Sequence, residues 1–267
     1  MLLLAGTATA ACDKNTLPDI SGPATGGASV KFFNFSVGSP NVNFYINGKK
    51  VTAVSSTGCY LLTDANRAQC LSTGSESTTG VAYGSAGNGT NAWYSDVVAG
   101  QVTIAGKITA TTDNGLAISN LSSSVATAKF YSFYLSGIYD ATAKTTDAFI
   151  VEDVMPPQDF SGAYVRFVNA SSTTQPMTLY AKDATTGAEI AIGGDVAYKS
   201  AGAFVKVPLS GLTATAIYNL STRVGGSSTA VFTRTSVSWS AGRAYTITAR
   251  GNTATASTMA LDNTANR

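Results

Sequence analysis

Histidine is absent from the 267 residues of this chain. That one absence removes Ser-His-Asp and Cys-His catalysis, histidine-ligated zinc and the HExxH metalloprotease helix together. Charge is scarce as well. Asp, Glu, Lys and Arg make up 12% of the chain, about half the usual share of roughly 25%. The formal net charge is +2, and Lys49-Lys50 is the only basic pair. Nucleic-acid binding needs a clustered basic footprint; none is present, so nucleic acid is excluded as a partner. No run of about 20 apolar residues follows the N-terminus, so no membrane-spanning segment is expected in the mature chain. There is no P-loop, and the stretch containing Gly84, Gly87 and Gly89 reads as a glycine-rich loop and not as a phosphate cradle. No cofactor or metal is expected.

In place of charge the chain carries Ser, Thr, Gly, Ala and Asn, while 44% of residues remain hydrophobic. Disorder goes with low hydrophobicity and high charge, so this composition describes a folded protein with a polar, nearly uncharged surface. It suits strands and turns, and points to an all-β protein of the cell envelope or the extracellular space. A repeat sets the architecture. Ala28 to Ser36 (ASVKFFNFS) returns as Ala163 to Ser171 (AYVRFVNAS), with Lys31 answered by Arg166 and Phe33 by Val168. A solenoid would repeat every 20–50 residues or so; one long offset means two copies of a whole domain.

Met1 to Ala11 (MLLLAGTATAA) is apolar and small and runs into Cys12, as the tail of a secretion signal does. A cysteine directly after Ala10-Ala11 resembles the lipobox of bacterial lipoproteins, in which the thiol is acylated and becomes the new N-terminus. A cleaved signal without lipid and an incidental cysteine are the alternatives. Residues 12–27, rich in Pro, Gly and small polar side chains, then read as a flexible tether. With Cys12 lipidated, Cys59 and Cys70 remain. In an oxidising compartment a disulfide is the favoured reading, contributing about 2–3 kcal/mol. Free thiols come second, and a metal site is disfavoured because two thiols without histidine make a poor zinc set.

Short stretches alternate with the period of half-buried strands, among them Val42-Phe44-Ile46, Tyr131-Phe133-Leu135, Val165-Phe167 and Tyr245-Ile247. Asn47-Gly48 is a strong hairpin signal, because both central positions of a type I′ turn need positive φ. Asp183 to Gly187 offers a longer turn at the corresponding place in the second copy. Leu61 to Leu71 is the nearest thing to a helical pattern, one or two turns at most. The pattern predicts two tandem antiparallel β-sandwich domains of immunoglobulin-like type. The first spans 28–154, with a loop-like insertion at 59–93. A proline linker at 155–159 separates it from the second, at 160–252, and 253–267 reads as a tail.

The opening strands (Val30 to Ser36 and Val165 to Ser171) and VNFYINGKKV from Val42 to Val51 carry a further likeness. So do YSDVVAG from Tyr94 to Gly100, FYSFYLSG from Phe130 to Gly137 and AGRAYTITARG from Ala241 to Gly251. In these the chain resembles a bacterial family known as domain of unknown function 4397, over about Ala28 to Gly251. The resemblance implies an envelope lipoprotein carrying β-sandwich modules. The family's own role is unassigned, so it supplies no catalytic residue, and the 59–93 insertion has no counterpart in it.

Paired carboxylates across a cleft would suffice for glycoside hydrolysis. The candidates are Glu152, Asp153 and Asp159, but neighbouring strand residues point to opposite faces, and solvated charges beside a turn are the expected reading. A calcium site of Asp153, Asp159 and carbonyls is a minor alternative. Tyr60, Tyr83, Trp93 and Tyr94 border or lie in the insertion. A ring offers a flat apolar face with a polar handle, so Tyr83, Trp93 and Tyr94 are the candidate ligand platform, against the plainer reading of Trp93-Tyr94 as core. Trp239, on an alternating strand, is expected in the core. The N-x-Ser triplets at Asn34 and Asn169 read as turn chemistry. The expectation is therefore a non-catalytic lipoprotein, anchored to a membrane of the bacterial envelope (periplasmic or surface-exposed), that binds or scaffolds a glycan or an envelope protein. A secreted spacer without a ligand is the alternative, and a carboxylate-based glycosidase comes third.

Overall fold

The computed structural model describes residues 27–52, 79–88, 92, 94–172, 175–209 and 215–266, and among these there is no helix. Nine strands lie before the prolines at 156 and 157: β1 (Gly27–Asn34), β2 (Val42–Ile46), β3 (Lys49–Lys50), β4 (Ser85–Ala86), β5 (Ser95–Val98), β6 (Gly100–Ile108), β7 (Ala117–Val125), β8 (Phe130–Asp140) and β9 (Thr145–Glu152). Nine follow: β10 (Gly162–Asn169), β11 (Met177–Asp183), β12 (Glu189–Val196), β13 (Ser200–Ala201), β14 (Val205–Pro208), β15 (Thr215–Val224), β16 (Phe232–Ser240), β17 (Ala244–Asn252) and β18 (Thr255–Ala265).

The pairing scheme recurs. β1 runs parallel to β8, with β9 beyond β8 and the short β4 and β5 along its other side; β10, β17, β18, β13 and β14 repeat this arrangement. The second sheet of each half is β3-β2-β6-β7 or β12-β11-β15-β16. Asn47 and Gly48 both take positive φ, at 49° and 79°, as the hairpin signal requires. Each half thus pairs a five-stranded with a four-stranded sheet around its own apolar core. Phe32, Phe44, Ile104 and Phe133 fill the first core. Phe167, Leu179, Trp239 and Ile247 fill the second, where Trp239 is fully buried as its alternating strand predicts.

Three expectations are corrected. The sheets are not wholly antiparallel, because the opening strand of each half runs parallel to a later one, β1 to β8 and β10 to β17. The Thr/Ala/Asn segment taken for a tail is the strand β18, which pairs along β17 from Ala265 to Thr255. Its apolar residues are few, but Leu261 is buried in the second core, and a ladder needs backbone groups more than large side chains. The insertion is not loop throughout its described part: Val81 is buried and bridged to Val42, and Ser85–Ala86 is the strand β4 against β1. Cys12, Cys59, Cys70, Tyr60, Trp93 and the Leu61–Leu71 stretch lie outside the described residues.

β1, β8, β10 and β17 are buried on both faces along most of their length. Alternation explains how. Val30 and Phe32 point into the first core, so Lys31, Phe33 and Phe35 point the other way; Arg166, Val168 and Ala170 do the same from β10. The two five-stranded sheets lie back to back. Between them runs an apolar seam in which the Tyr134 ring is stacked at 4.7 Å on Phe33 and 4.9 Å on Phe149, against Val168 and Ala170.

Candidate functional site: the junction between the halves

Beside the seam lies a buried ionic cluster. Lys31, Asp153 and Arg166 are each 2% exposed. The Arg166 guanidinium pairs with one Asp153 carboxylate oxygen, donates from Nε to Thr246 Oγ1 at 2.9 Å, and donates to the Glu152 carbonyl at 3.0 Å. The other Asp153 oxygen accepts from Ser132 Oγ at 2.8 Å and from the Tyr94 hydroxyl at 2.7 Å. Tyr94 Oη in turn accepts from Asn266 Nδ2 at 3.2 Å, and Asn266 Oδ1 accepts from Thr246 Oγ1 at 2.6 Å. Lys31 Nζ donates to the Ala265 carbonyl at 2.6 Å and sits 4.5 Å from the Tyr94 ring centre.

The strand register shows that this cluster is two copies of one arrangement. Val30 and Val165 stand opposite Tyr131 and Tyr245, which stand opposite Glu152 and Ala265. Asp153 and Asn266 are therefore equivalent, as are Ser132 and Thr246. Val30 and Val165 also pair with Ser95 and Val205, which makes Tyr94 and Phe204 equivalent. Lys31 lies against Tyr94, and the Arg166 guanidinium lies 4.9 Å from the Phe204 ring centre. Each cation crosses to the last strand of the other half, Arg166 to the carbonyl ending β9 and Lys31 to the carbonyl ending β18. The result is a reciprocal clasp.

Two cations share one carboxylate here. Burial pushes the Lys31 ammonium down to about 8 despite the nearby Asp153 charge, and Arg166 pushes in the same direction as burial. Burial, with the Asp153 charge adding to it, holds the Tyr94 hydroxyl far above its ordinary range. Burial also raises Tyr134 to about 12. Chemically the cluster is a lock: its donors and acceptors are turned on one another across the two halves.

Of the candidate platform, Tyr94 forms this clasp. Tyr83 donates from its hydroxyl to Thr258 O at 2.6 Å, with the Arg250 guanidinium 4.8 Å from its ring centre and Arg250 Nε 2.5 Å from Asp262. Both rings thus join the first half to the second. Among the carboxylates, Glu152 is paired with Lys129 at the surface. Asp153 departs from the expected solvated charge, because the polar side of β9 and β10 faces a second sheet and not water. Asp159 pairs with Lys206 at 2.6 Å, and that interaction with the Ser161 hydrogen bonds holds its carboxyl well below the usual range. The structure does not bring Asp153 and Asp159 to one site, and no group of metal-ligating side chains forms among the described residues. Asn34 and Asn169 are fully buried; Asn34 Oδ1 accepts from Ser39 Oγ at 2.8 Å, and Asn169 Oδ1 accepts from Ser171 Oγ at 2.8 Å. These are the turn roles expected of them. Sequence reasoning missed Lys31, Asp153 and Arg166 as a set, although the Lys31/Arg166 match within the repeat was the available signal.

Along one side of the clasp runs a groove of about 770 Å³, walled by Val151, Val154, Pro156, Pro157, Ala201 and Phe204. Val151 and Ala201 also pack on the seam, so the groove is the seam's open margin. Val154 is 65% exposed on its rim.

No protein-family model matches the sequence, and no curated protein does. Among solved structures, the chain is similar to the Bacillus anthracis TIE protein (10% identity, TM-score 0.22, covering 85% of this chain and 34% of that one). It is also similar to a leucine-rich repeat protein from Bacteroides thetaiotaomicron (13%, TM-score 0.20, 85% and 26%). A third likeness is to a candidate cell adhesion protein from Bacteroides ovatus (11%, TM-score 0.25, 91% and 97%). The chain spans about a third and a quarter of the first two. At TM-scores this low, none of them bears on function.

Proposed function

We propose that this chain is a non-catalytic binding or scaffolding protein of the bacterial envelope. It consists of two tandem immunoglobulin-like β-sandwiches clasped into one rigid body and tethered through a lipid on Cys12. The observation that carries the reading is the reciprocal clasp. A buried Arg166–Asp153 pair, the Lys31 and Tyr94 bridges to the chain's end, and the aromatic seam are a costly way to join two modules that only need to be adjacent. They make sense where the relative position of two surfaces matters. The Tyr83 and Tyr94 hydroxyls are occupied within the junction, which favours an envelope protein over a glycan as partner and moves attention from these rings to the groove. The resemblance to the domain of unknown function 4397 family supports the same location.

Fractionation of bacteria expressing the full chain tests the anchor. The wild type should sediment with membranes and carry acyl mass at Cys12, and Cys12→Ala should move to the soluble fraction. A wild type that is soluble and unacylated would sink the anchored reading and leave a secreted spacer.

A further inference from the structure

The seam has an equivalent margin on the other side of the clasp, and there Ala92 packs into it. In the first half, residues 87–94 connect β4, where Ala86 pairs with Phe33, to β5, where Ser95 pairs with Val30. From that connection Ala92, 1% exposed, enters the seam cluster with Phe33 and Tyr134, and Tyr94 lies over Lys31. In the second half only residues 202–204 connect β13 to β14, between the equivalent pairs Ala201–Val168 and Val205–Val165. Phe204 lies over Arg166 as Tyr94 does over Lys31, but among the described residues nothing takes the place of Ala92. Ala203 is exposed, and the seam residues Val151 and Ala201 are left walling an open groove.

We propose that this groove binds a peptide segment of a partner protein, turned so as to seat a small apolar side chain in the seam as Ala92, at φ 48°, does on the opposite side. The proposal rests on the binding reading above and names its partner class. Three features favour a peptide. The walls are mostly apolar, with two prolines, and the groove is continuous with a seam into which the chain's own Ala92 packs elsewhere. The charged side chains that line it, Glu152, Lys199 and Arg166, are paired with Lys129, Asp147 and Asp153, which leaves few side chains to make the fan of directed hydrogen bonds that a sugar needs. A concave, largely apolar surface between two modules is also where ligands commonly lodge.

The probe is a synthetic peptide with the sequence of residues 87–95 (GNGTNAWYS), titrated into the folded, unlipidated full chain and followed by ¹⁵N chemical shifts. Saturable shifts confined to 151–157 and 199–204 are expected. Val154→Asp and Ala203→Trp each alter an exposed wall residue without touching the core. Both should weaken binding about tenfold or more, as loss of a buried apolar contact does, and a peptide with Glu at the Ala92 position should behave likewise. No saturable shift, or binding that both variants leave unchanged, overturns the proposal. Membrane anchoring through Cys12 is read in a separate experiment, so the two can fail independently.

Discussion

Raising the pH from about 7 to about 9.5 should stabilise this protein, against the usual trend, and Lys31 is the reason. Its ammonium is buried beside Arg166 with a single carboxylate between them, and its folded value is about 8 against an ordinary 10.5. Below about pH 8 both the folded and the unfolded chain carry the proton, and the full cost of burying the charge is present. Between about 8 and 10.5 the unfolded chain holds more protons than the folded one, so stability rises with pH. Integrating over the window from about pH 7 to 9.5 gives roughly 2 kcal/mol. The tyrosines act in the opposite sense. Tyr94, Tyr134, Tyr198 and Tyr218 are all held above their ordinary value by burial, so their ionisation in the unfolded chain erodes stability above about pH 10. A maximum near pH 9.5–10 follows. Urea denaturation at a series of pH values measures it, with Lys31→Met as the reference that removes the titration while keeping the apolar stem. The wild type should gain about 2 kcal/mol relative to Lys31→Met over the window. If the two move in parallel, Lys31 is not the depressed amine described here.

Asp153→Ala leaves Arg166 buried without its partner and should cost about 3–5 kcal/mol by denaturation, whereas Asp153→Leu with Arg166→Met should recover most of that. Gly137 sits at φ +72° with the Tyr198 hydroxyl where a methyl would go. Gly137→Ala should therefore cost about 1–2 kcal/mol and disturb the bonds from Tyr198 to Asp147 and Ser136. Trp239→Ala, which empties a site in the second core where the ring lies tilted 4.8 Å from Tyr218, should cost about 3–5 kcal/mol; with the clasp intact, backbone amide signals from strands of both halves should shift to the same lower midpoint. Intact mass with and without reduction decides the cysteines: a gain of two hydrogens is expected for a Cys59–Cys70 disulfide, and no gain means free thiols.

The two cores were legible because their strands alternate in the ordinary way. Val42-Phe44-Ile46 and Tyr131-Phe133-Leu135 each place one apolar stripe inward, and Asn47-Gly48 names its own turn. The junction was hard to read because its face of each sheet carries Lys31, Ser132, Arg166 and Thr246. On a period-2 pattern these residues describe a solvated face; they are buried only because a second sheet with the same polar pattern lies against the first. Asp153 misled for the same reason. The repeat held the clue, since a surface residue has little cause to keep a basic character in both copies, at Lys31 and at Arg166. β18 was missed because Thr, Ser, Ala and Asn give a weak strand signal, and its place is set by the ladder with β17. The groove could not be read at all: Ala92 packs into the seam from the first half, while the second half has only residues 202–204 between β13 and β14, and that difference matters only once both halves meet at one seam.

The central claim is that the clasp makes one rigid body of two modules. Residual dipolar couplings of backbone amides from β1, β2, β6 and β8 and from β10, β11, β15 and β17, measured on one sample in one aligning medium, test it directly. Both sets should fit a single alignment tensor with the two five-stranded sheets back to back, and Asp153→Ala should separate them into two. Two distinct tensors in the wild type would contradict it.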